Sequence, residues 1–221
     1  MKVNNTPYRT IWPASDGWAV EIIDQTKLPH HFETVRLENL TDSIHAIADM
    51  LVRGAPLIGA TAAWGIALAM HENASDLALQ SACEGLYQAR PTAVNLRWAL
   101  DEMRKVLDPL DPSSRREAAY ARAMEITDDD VEISSSLGEH GSKLIKNIWE
   151  GRRRDSIVNV LTHCNAGWLA TVDWGTALAP IYKAHNAGIP VHVWVDETRP
   201  RNQGASLTAW ELKQHGVPHT L

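Results

Sequence analysis

The sequence predicts an α/β protein in two parts: a mainly helical N-terminal domain with a small antiparallel β entrance over residues 1–150, then an incomplete Rossmann-like parallel-sheet domain over 151–221. Three observations predict it. Two short runs rich in Ile, Val, Trp and Tyr, residues 8–13 and 18–23, flank an Asp16-Gly17 pair, a strong hairpin signal. From Thr41 to Glu150 the apolar residues recur at helical spacing, with Pro and Gly at the breaks. Beyond Gly151, two β-branched runs alternate with helical segments at roughly 30-residue spacing, the pattern of right-handed βαβ units.

The first helix is marked by Ile44, Ile47, Ala48 and Leu51 on one face, behind a cap cluster of Thr41, Asp42 and Ser43. A second begins after Arg53-Gly54-Ala55, where Pro56 suits the first position and Ala60, Ala62, Ala63, Gly65, Ala67 and Ala69 keep the helix slim and so buried. Further helices are expected over 74–88, over 91–107 with Pro91 at its start, and over 113–150 with a break near Gly138 or Gly141. Residues 156–162 read as a strand and 175–186 as a helix stopped at Gly188; 191–195 read as a second strand, followed by a helix from Ser206 to Gly216. Val217 to Leu221 reads as the entry to a third parallel strand, so the second domain is expected to be incomplete.

Of 221 residues, 44% are hydrophobic and 22% charged, which excludes a disordered chain, a collagen-like repeat and a disulfide scaffold. The net charge of −6 argues against a broad basic face for nucleic acid. The one dense basic cluster, Arg152-Arg153-Arg154, reads as a solvated loop. The longest apolar stretch, Leu57 to Met70, is broken by Gly and Thr and falls short of the ~18 residues of a membrane span. Two widely separated cysteines with no secretory signal before them read as reduced thiols in a cytoplasmic protein.

Ligands of open α/β sheets bind beyond the carboxyl ends of the strands, and both expected strands end in unusual chemistry. His163-Cys164-Asn165-Ala166-Gly167-Trp168 follows the first. Cys164 reads either as a transition-state-polarising thiol or as a buried small apolar residue. A Cys/His hydrolase using His163 as base lacks a visible orienting carboxylate. Asp196-Glu197-Thr198-Arg199-Pro200-Arg201-Asn202-Gln203-Gly204 follows the second strand, and Trp168 and Trp174 flank the Cys164 loop as candidate pocket walls. Arg53-Gly54-Ala55-Pro56 sets an arginine beside a helix start, where free N–H groups and the helix dipole favour an anion. Arg90-Pro91 repeats that design. Asp128-Asp129-Asp130 reads as solvated, His30-His31 as a surface pair, and no HxxxH or CxxC spacing points to a metal.

Taken together, Asp24-Gln25-Thr26-Lys27-Leu28-Pro29, Arg53-Gly54-Ala55-Pro56-Leu57-Ile58-Gly59, Arg90-Pro91-Thr92-Ala93-Val94-Asn95-Leu96, the His163 to Thr171 run and the Val195 to Ala205 run resemble the methylthioribose-1-phosphate isomerase family. The wider superfamily includes ribose-1,5-bisphosphate isomerases and regulatory subunits of the translation-initiation guanine-nucleotide exchange factor. The resemblance implies conversion of 5-methylthioribose 1-phosphate to the open-chain ketose phosphate in methionine salvage, without metal or nucleotide cofactor, by a homodimer. It implies Arg53, Gly54, Ala55, Arg90 and Gln203 as substrate contacts and Cys164 as the residue assisting the transition state. Hydrogen would move between C2 and C1 as a proton through an enol or as a hydride. The family's catalytic Asp and a later Asn-Lys pair would lie beyond Leu221.

Overall fold

The structure, a computed structural model, describes residues 1–151 and 156–221; the Arg152-Arg153-Arg154 cluster lies outside them. Its contacts divide the chain into two compact units. One holds Ile11–Lys27 and Phe32–Asp129; the other holds Met1–Thr10, Leu28–His31 and Asp130–Leu221. The sequence changes texture near residue 150, but the contacts divide the chain between Asp129 and Asp130, and the first ten residues join the C-terminal unit. The reason for the latter is direct: the Thr10 hydroxyl donates to the Thr171 carbonyl at 2.5 Å, and the Thr10 amide donates to Val172 at 3.0 Å.

The C-terminal unit opens on a short pair, β1 (Lys2–Val3) and β2 (Thr6–Pro7). In the helical unit, β3 (Ile11–Pro13), β4 (Val20–Ile23) and β5 (Thr34–Leu37) form an antiparallel sheet in that order. The β3–β4 hairpin is the one Asp16-Gly17 announced: Gly17 sits at φ 80°, and the Asp16 carboxylate accepts from the amides of Trp18 and Ala19 at 3.1 and 3.2 Å. Four helices follow, α1 (Leu40–Ala48), α2 (Ala55–Glu72), α3 (Asp76–Ala89) and α4 (Val94–Leu107). The cap of α1 is Asn39, just ahead of the expected cluster, and its side chain accepts from the Asp42 amide at 2.9 Å. From Leu57 to Met70, α2 is buried on every face, as its small residues require of a helix at the centre of a bundle. Trp64, within this helix, is 1% exposed and donates its Nε1 to Thr127 at 2.9 Å.

The expected break near Gly138 or Gly141 is absent: α5 (Pro112–Glu150) runs unbroken. The glycines serve packing instead. A Cβ on Gly141 would lie 2.4 Å from the Pro180 ring, and one on Gly138 would lie 2.9 Å from the Lys183 stem, so α6 (Ala179–Asn186) rests directly on the α5 backbone. Gly141→Ala is expected to cost about 1–3 kcal/mol through overpacking, read by urea denaturation. An unchanged midpoint would show that the contact gives way freely.

The C-terminal unit holds three parallel strands, β6 (Val158–Thr162), β7 (Val191–Val195) and β8 (His219–Thr220), in that order. α6 makes the first crossover; a π-type turn over Gly204–Thr208 and α7 (Ala209–His215) make the second. The helix expected from residue 175 starts at Ala179, because Trp174 and Gly175 both take positive φ. Gly216 at φ 74° closes α7 as a left-handed cap, as expected of that glycine. Among the described residues, no helix is long and apolar enough to cross a membrane.

Candidate active site

The β6–β7 register pairs Thr162 with Val195, so the two loops with unusual chemistry leave the sheet side by side. The Asp196 amide donates to the Thr162 carbonyl at 3.0 Å, extending the pairing one residue past the strands. From there the loops are laced by side chains. The Cys164 amide donates to the Thr198 hydroxyl at 2.8 Å, which itself donates to the Asp196 carbonyl at 3.2 Å. The Thr208 hydroxyl donates to the Cys164 carbonyl at 2.7 Å and accepts from Asn165 Nδ2 at 3.1 Å. Cys164, Thr198 and Asn202 all hold left-handed backbone, at φ 63°, 55° and 53°. For the β-branched Thr198 this conformation is costly, and such strain persists where the surroundings over-determine it, commonly at functional sites.

Cys164 is half-buried at this edge, whereas Cys83 is buried in the helical unit, where burial pushes its thiol up to about 11. Cys83 is therefore an inert packing thiol. Gln203 immediately precedes the π-type turn, a wide turn that often marks functional positions. Its Oε1 is buried without a hydrogen-bond donor, as is Asn165 Oδ1. Each orphaned acceptor costs about 1–3 kcal/mol until a donor arrives.

Residues the sequence did not single out complete the edge. Glu211, on α7, is fully buried: its carboxylate accepts from Asn165 Nδ2 at 2.5 Å, from the Trp168 amide at 2.8 Å and from the Tyr182 hydroxyl at 3.0 Å. Burial pushes its pKa up to about 8, against the downward pull of these donors and the Leu169 amide. The signal was a lone carboxylate inside the run Trp210-Glu211-Leu212, all three buried. Gly167 makes room for it, since a Cβ there would lie 2.0 Å from Glu211 Oε1.

The structure also supplies the carboxylate that the Cys/His reading lacked: Asp196 Oδ2 lies 3.0 Å from His163 Nδ1. Both side chains are largely exposed, at 71% and 49%, so the pair is a solvated one. Trp168 is no pocket wall; at 1% exposure it packs on Trp210, ring centroids 6.4 Å apart. Trp174 is half-buried under Lys183, whose Nζ lies 4.3 Å from the ring centroid. Asp130, read as solvated, accepts from the Val172 amide at 2.7 Å, and burial raises its carboxyl to about 6.

Arg53, Gly54, Ala55 and Arg90 belong to the helical unit. Gly54, at φ 91°, caps α2 without a side-chain bond, and Pro56 occupies the first turn, leaving N–H groups at the helix start beside Arg53. The Arg90 segment departs from expectation: Pro91 sits in a turn closed by the Ala93 amide on the Arg90 carbonyl at 3.0 Å, and α4 begins only at Val94. The segment still reaches α2, because a Cβ on Gly59 would lie 3.0 Å from the Asn95 carbonyl oxygen. The predicted residues thus fall into two groups, Arg53 to Ala55 with Arg90 in one unit and Cys164 with Gln203 in the other. Among the described residues, no group of three or more His, Cys, Asp or Glu is placed to hold a metal.

Comparison with known proteins follows the same lines. The chain is 64% identical over its whole length to a methylthioribose-1-phosphate isomerase of Paramagnetospirillum magneticum, spanning 60% of that protein. It superposes with a TM-score of 0.85 and 34% identity on the 5-methylthioribose 1-phosphate isomerase of Pyrococcus horikoshii, covering 100% of this chain and 63% of that one. It superposes with a TM-score of 0.83 and 37% identity on the translation initiation factor eIF-2B subunit delta of A. fulgidus, covering 97% and 62%. The chain therefore spans about three fifths of the length of the relatives it matches. With residues 51–221 matching the model of the initiation factor 2 subunit family, the chain belongs to that family.

Proposed function

We propose that the protein carrying this chain is an aldose–ketose isomerase that converts 5-methylthioribose 1-phosphate to 5-methylthioribulose 1-phosphate. Similarity to proteins of that name, at 64% identity over the whole chain, supports the reading. The structural observation that carries it is the pair of orphaned acceptors, Gln203 Oε1 and Asn165 Oδ1, at the edge that presents the Cys164 thiol. Sugar hydroxyls are the donors that relieve such acceptors, which fits a polyol ligand.

The chemistry is balanced within the substrate. The bond from C1 to the ring oxygen breaks and the ring oxygen gains a proton; hydrogen moves from C2 to C1, and the C2 hydroxyl loses its proton to become a ketone. No outside oxidant or reductant is consumed. In this reading the start of α2 with Arg53, Gly54 and Ala55, together with Arg90, binds the phosphate through N–H groups and guanidinium forks. Gln203 accepts from a sugar hydroxyl, and Cys164 polarises the breaking C–O bond. The whole protein would act in the cytoplasm as a homodimer, which analytical ultracentrifugation checks.

The test is a phosphorus NMR assay of the whole protein with 5-methylthioribose 1-phosphate, 5-deoxyribose 1-phosphate and ribose 1,5-bisphosphate. We expect ketose phosphate from the first, and on the order of 100-fold less from a Cys164→Ala variant, the scale of one lost transition-state contact. Arg53→Ala should weaken binding of the phosphate about tenfold. The eIF-2B subunit similarity favours a second reading, a regulatory subunit. That reading gains if the folded protein binds a sugar phosphate, turns over none of the three and elutes in a larger assembly with partner subunits.

A further inference from the structure

We infer that Glu211 is a positioning residue for Cys164, acting through a relay of two side chains. The relay runs from Glu211 Oε1 to Asn165 Nδ2 (2.5 Å), from the same amide to the Thr208 hydroxyl (3.1 Å), and from that hydroxyl to the Cys164 carbonyl (2.7 Å). A second arm holds the other flank of the loop, with Glu211 Oε2 accepting from the Trp168 amide at 2.8 Å and from Tyr182 at 3.0 Å.

Three features argue against a carboxylate that merely fills space. It is 0% exposed, a costly place for a carboxyl group that a leucine of similar bulk would occupy without penalty. Its partners are donors drawn from three places, the Cys164 loop, the 3₁₀ turn over Trp168–Ala170 and α6, so it ties those elements to one point. It also excludes a side chain at position 167, which holds the loop backbone directly against it. The left-handed φ of 63° at Cys164 is the strained element held in place; with the relay cut, the strain is relieved by a shift of the loop and of the thiol. In the isomerase, such a shift would lower the rate of the chemical step while leaving substrate affinity in place. That arm rests on the proposed function.

The experiment compares wild-type protein with Glu211→Gln, with iodoacetamide alkylation of Cys164 read by mass spectrometry of the peptide that carries it. We expect Glu211→Gln to remain folded, to change the alkylation rate of Cys164 at least fivefold, and to lower kcat at least tenfold with KM within twofold. Folded variant protein with alkylation and kcat both within twofold of wild type overturns the inference. A parallel fall in kcat and rise in KM overturns it too, because it would mark general disorder of the site. Should Glu211→Gln fail to fold, Thr208→Val cuts the relay at its last link, between Asn165 and the Cys164 carbonyl, and is judged on the same criteria. Alkylation needs no substrate, so absence of turnover in wild-type protein sinks the isomerase reading while the alkylation comparison still decides the role of Glu211.

Discussion

Gly204→Ala is expected to destabilise the C-terminal unit by on the order of 4 kcal/mol or more, at the severe end for single substitutions. A Cβ at this position would stand 1.7 Å from the Asp196 carbonyl oxygen, 2.8 Å from its carbon and 3.1 Å from the Glu197 oxygen. All three are backbone atoms, so no rotamer change relieves the clash. The Asp196 peptide is itself fixed, its amide bonded to Thr162 and its carbonyl receiving the Thr198 hydroxyl. Moving it would part the ends of β6 and β7 and withdraw the Thr198 oxygen from the Cys164 amide. Urea denaturation followed by tryptophan fluorescence measures the loss, and Cys164 alkylation should accelerate in parallel. A cost below about 1 kcal/mol would mean that the π-type turn is not pinned to Asp196 in solution.

The second large effect is on the pH dependence of stability. Glu211 has a folded pKa of about 8 against an ordinary 4.5, so between those values the folded chain retains a proton that the unfolded chain has released. Its contribution to stability is full below about pH 4.5 and is lost as pH rises through 8, a swing on the order of 4 kcal/mol. Asp130, raised by burial from 3.8 to about 6, acts in the same direction over a lower window. His215 acts oppositely. Burial lowers it from 6.5 to about 4, so its contribution is present above pH 6.5 and is lost as pH falls through 4. Urea midpoints at pH 5, 7 and 9 should fall toward the alkaline end for wild type, and markedly less for Glu211→Gln. Parallel curves for the two proteins would show that Glu211 ionises freely in the fold.

Much of this architecture was legible in the sequence, because the strongest signals are local. Asp16-Gly17 gave the hairpin, the alanine run of α2 gave a buried helix, and the β-branched runs gave β6 and β7 with their loops. The failures share a cause, since each depended on what lies across space. Gly138 and Gly141 read as helix breakers because the sequence does not show Pro180 against them. Pro91 read as a helix start, although the turn it occupies displaces α4 to Val94. β5 was unread: its four residues alternate too briefly to stand out, and pairing with β4 is what makes them a strand. At the candidate site, Cys164 was visible because strand ends are where chemistry is sought, and Gln203 because the run that carries it resembles a known family. Glu211 was not, because it serves the site from behind, on a helix about 50 positions downstream of the strand it supports.

The Thr162–Val195 register constrains any redesign of the two loops that leave this edge of the sheet. Because the Cys164 amide rests on the hydroxyl of Thr198, and its carbonyl on that of Thr208, the two loops share their geometry and cannot be altered one at a time. A library that varies residues 163–167 against a fixed 196–208 segment would sample mostly broken combinations. Diversifying both segments together, with Thr198, Thr208 and Gly204 held constant, keeps the joint intact while the contacts around it change.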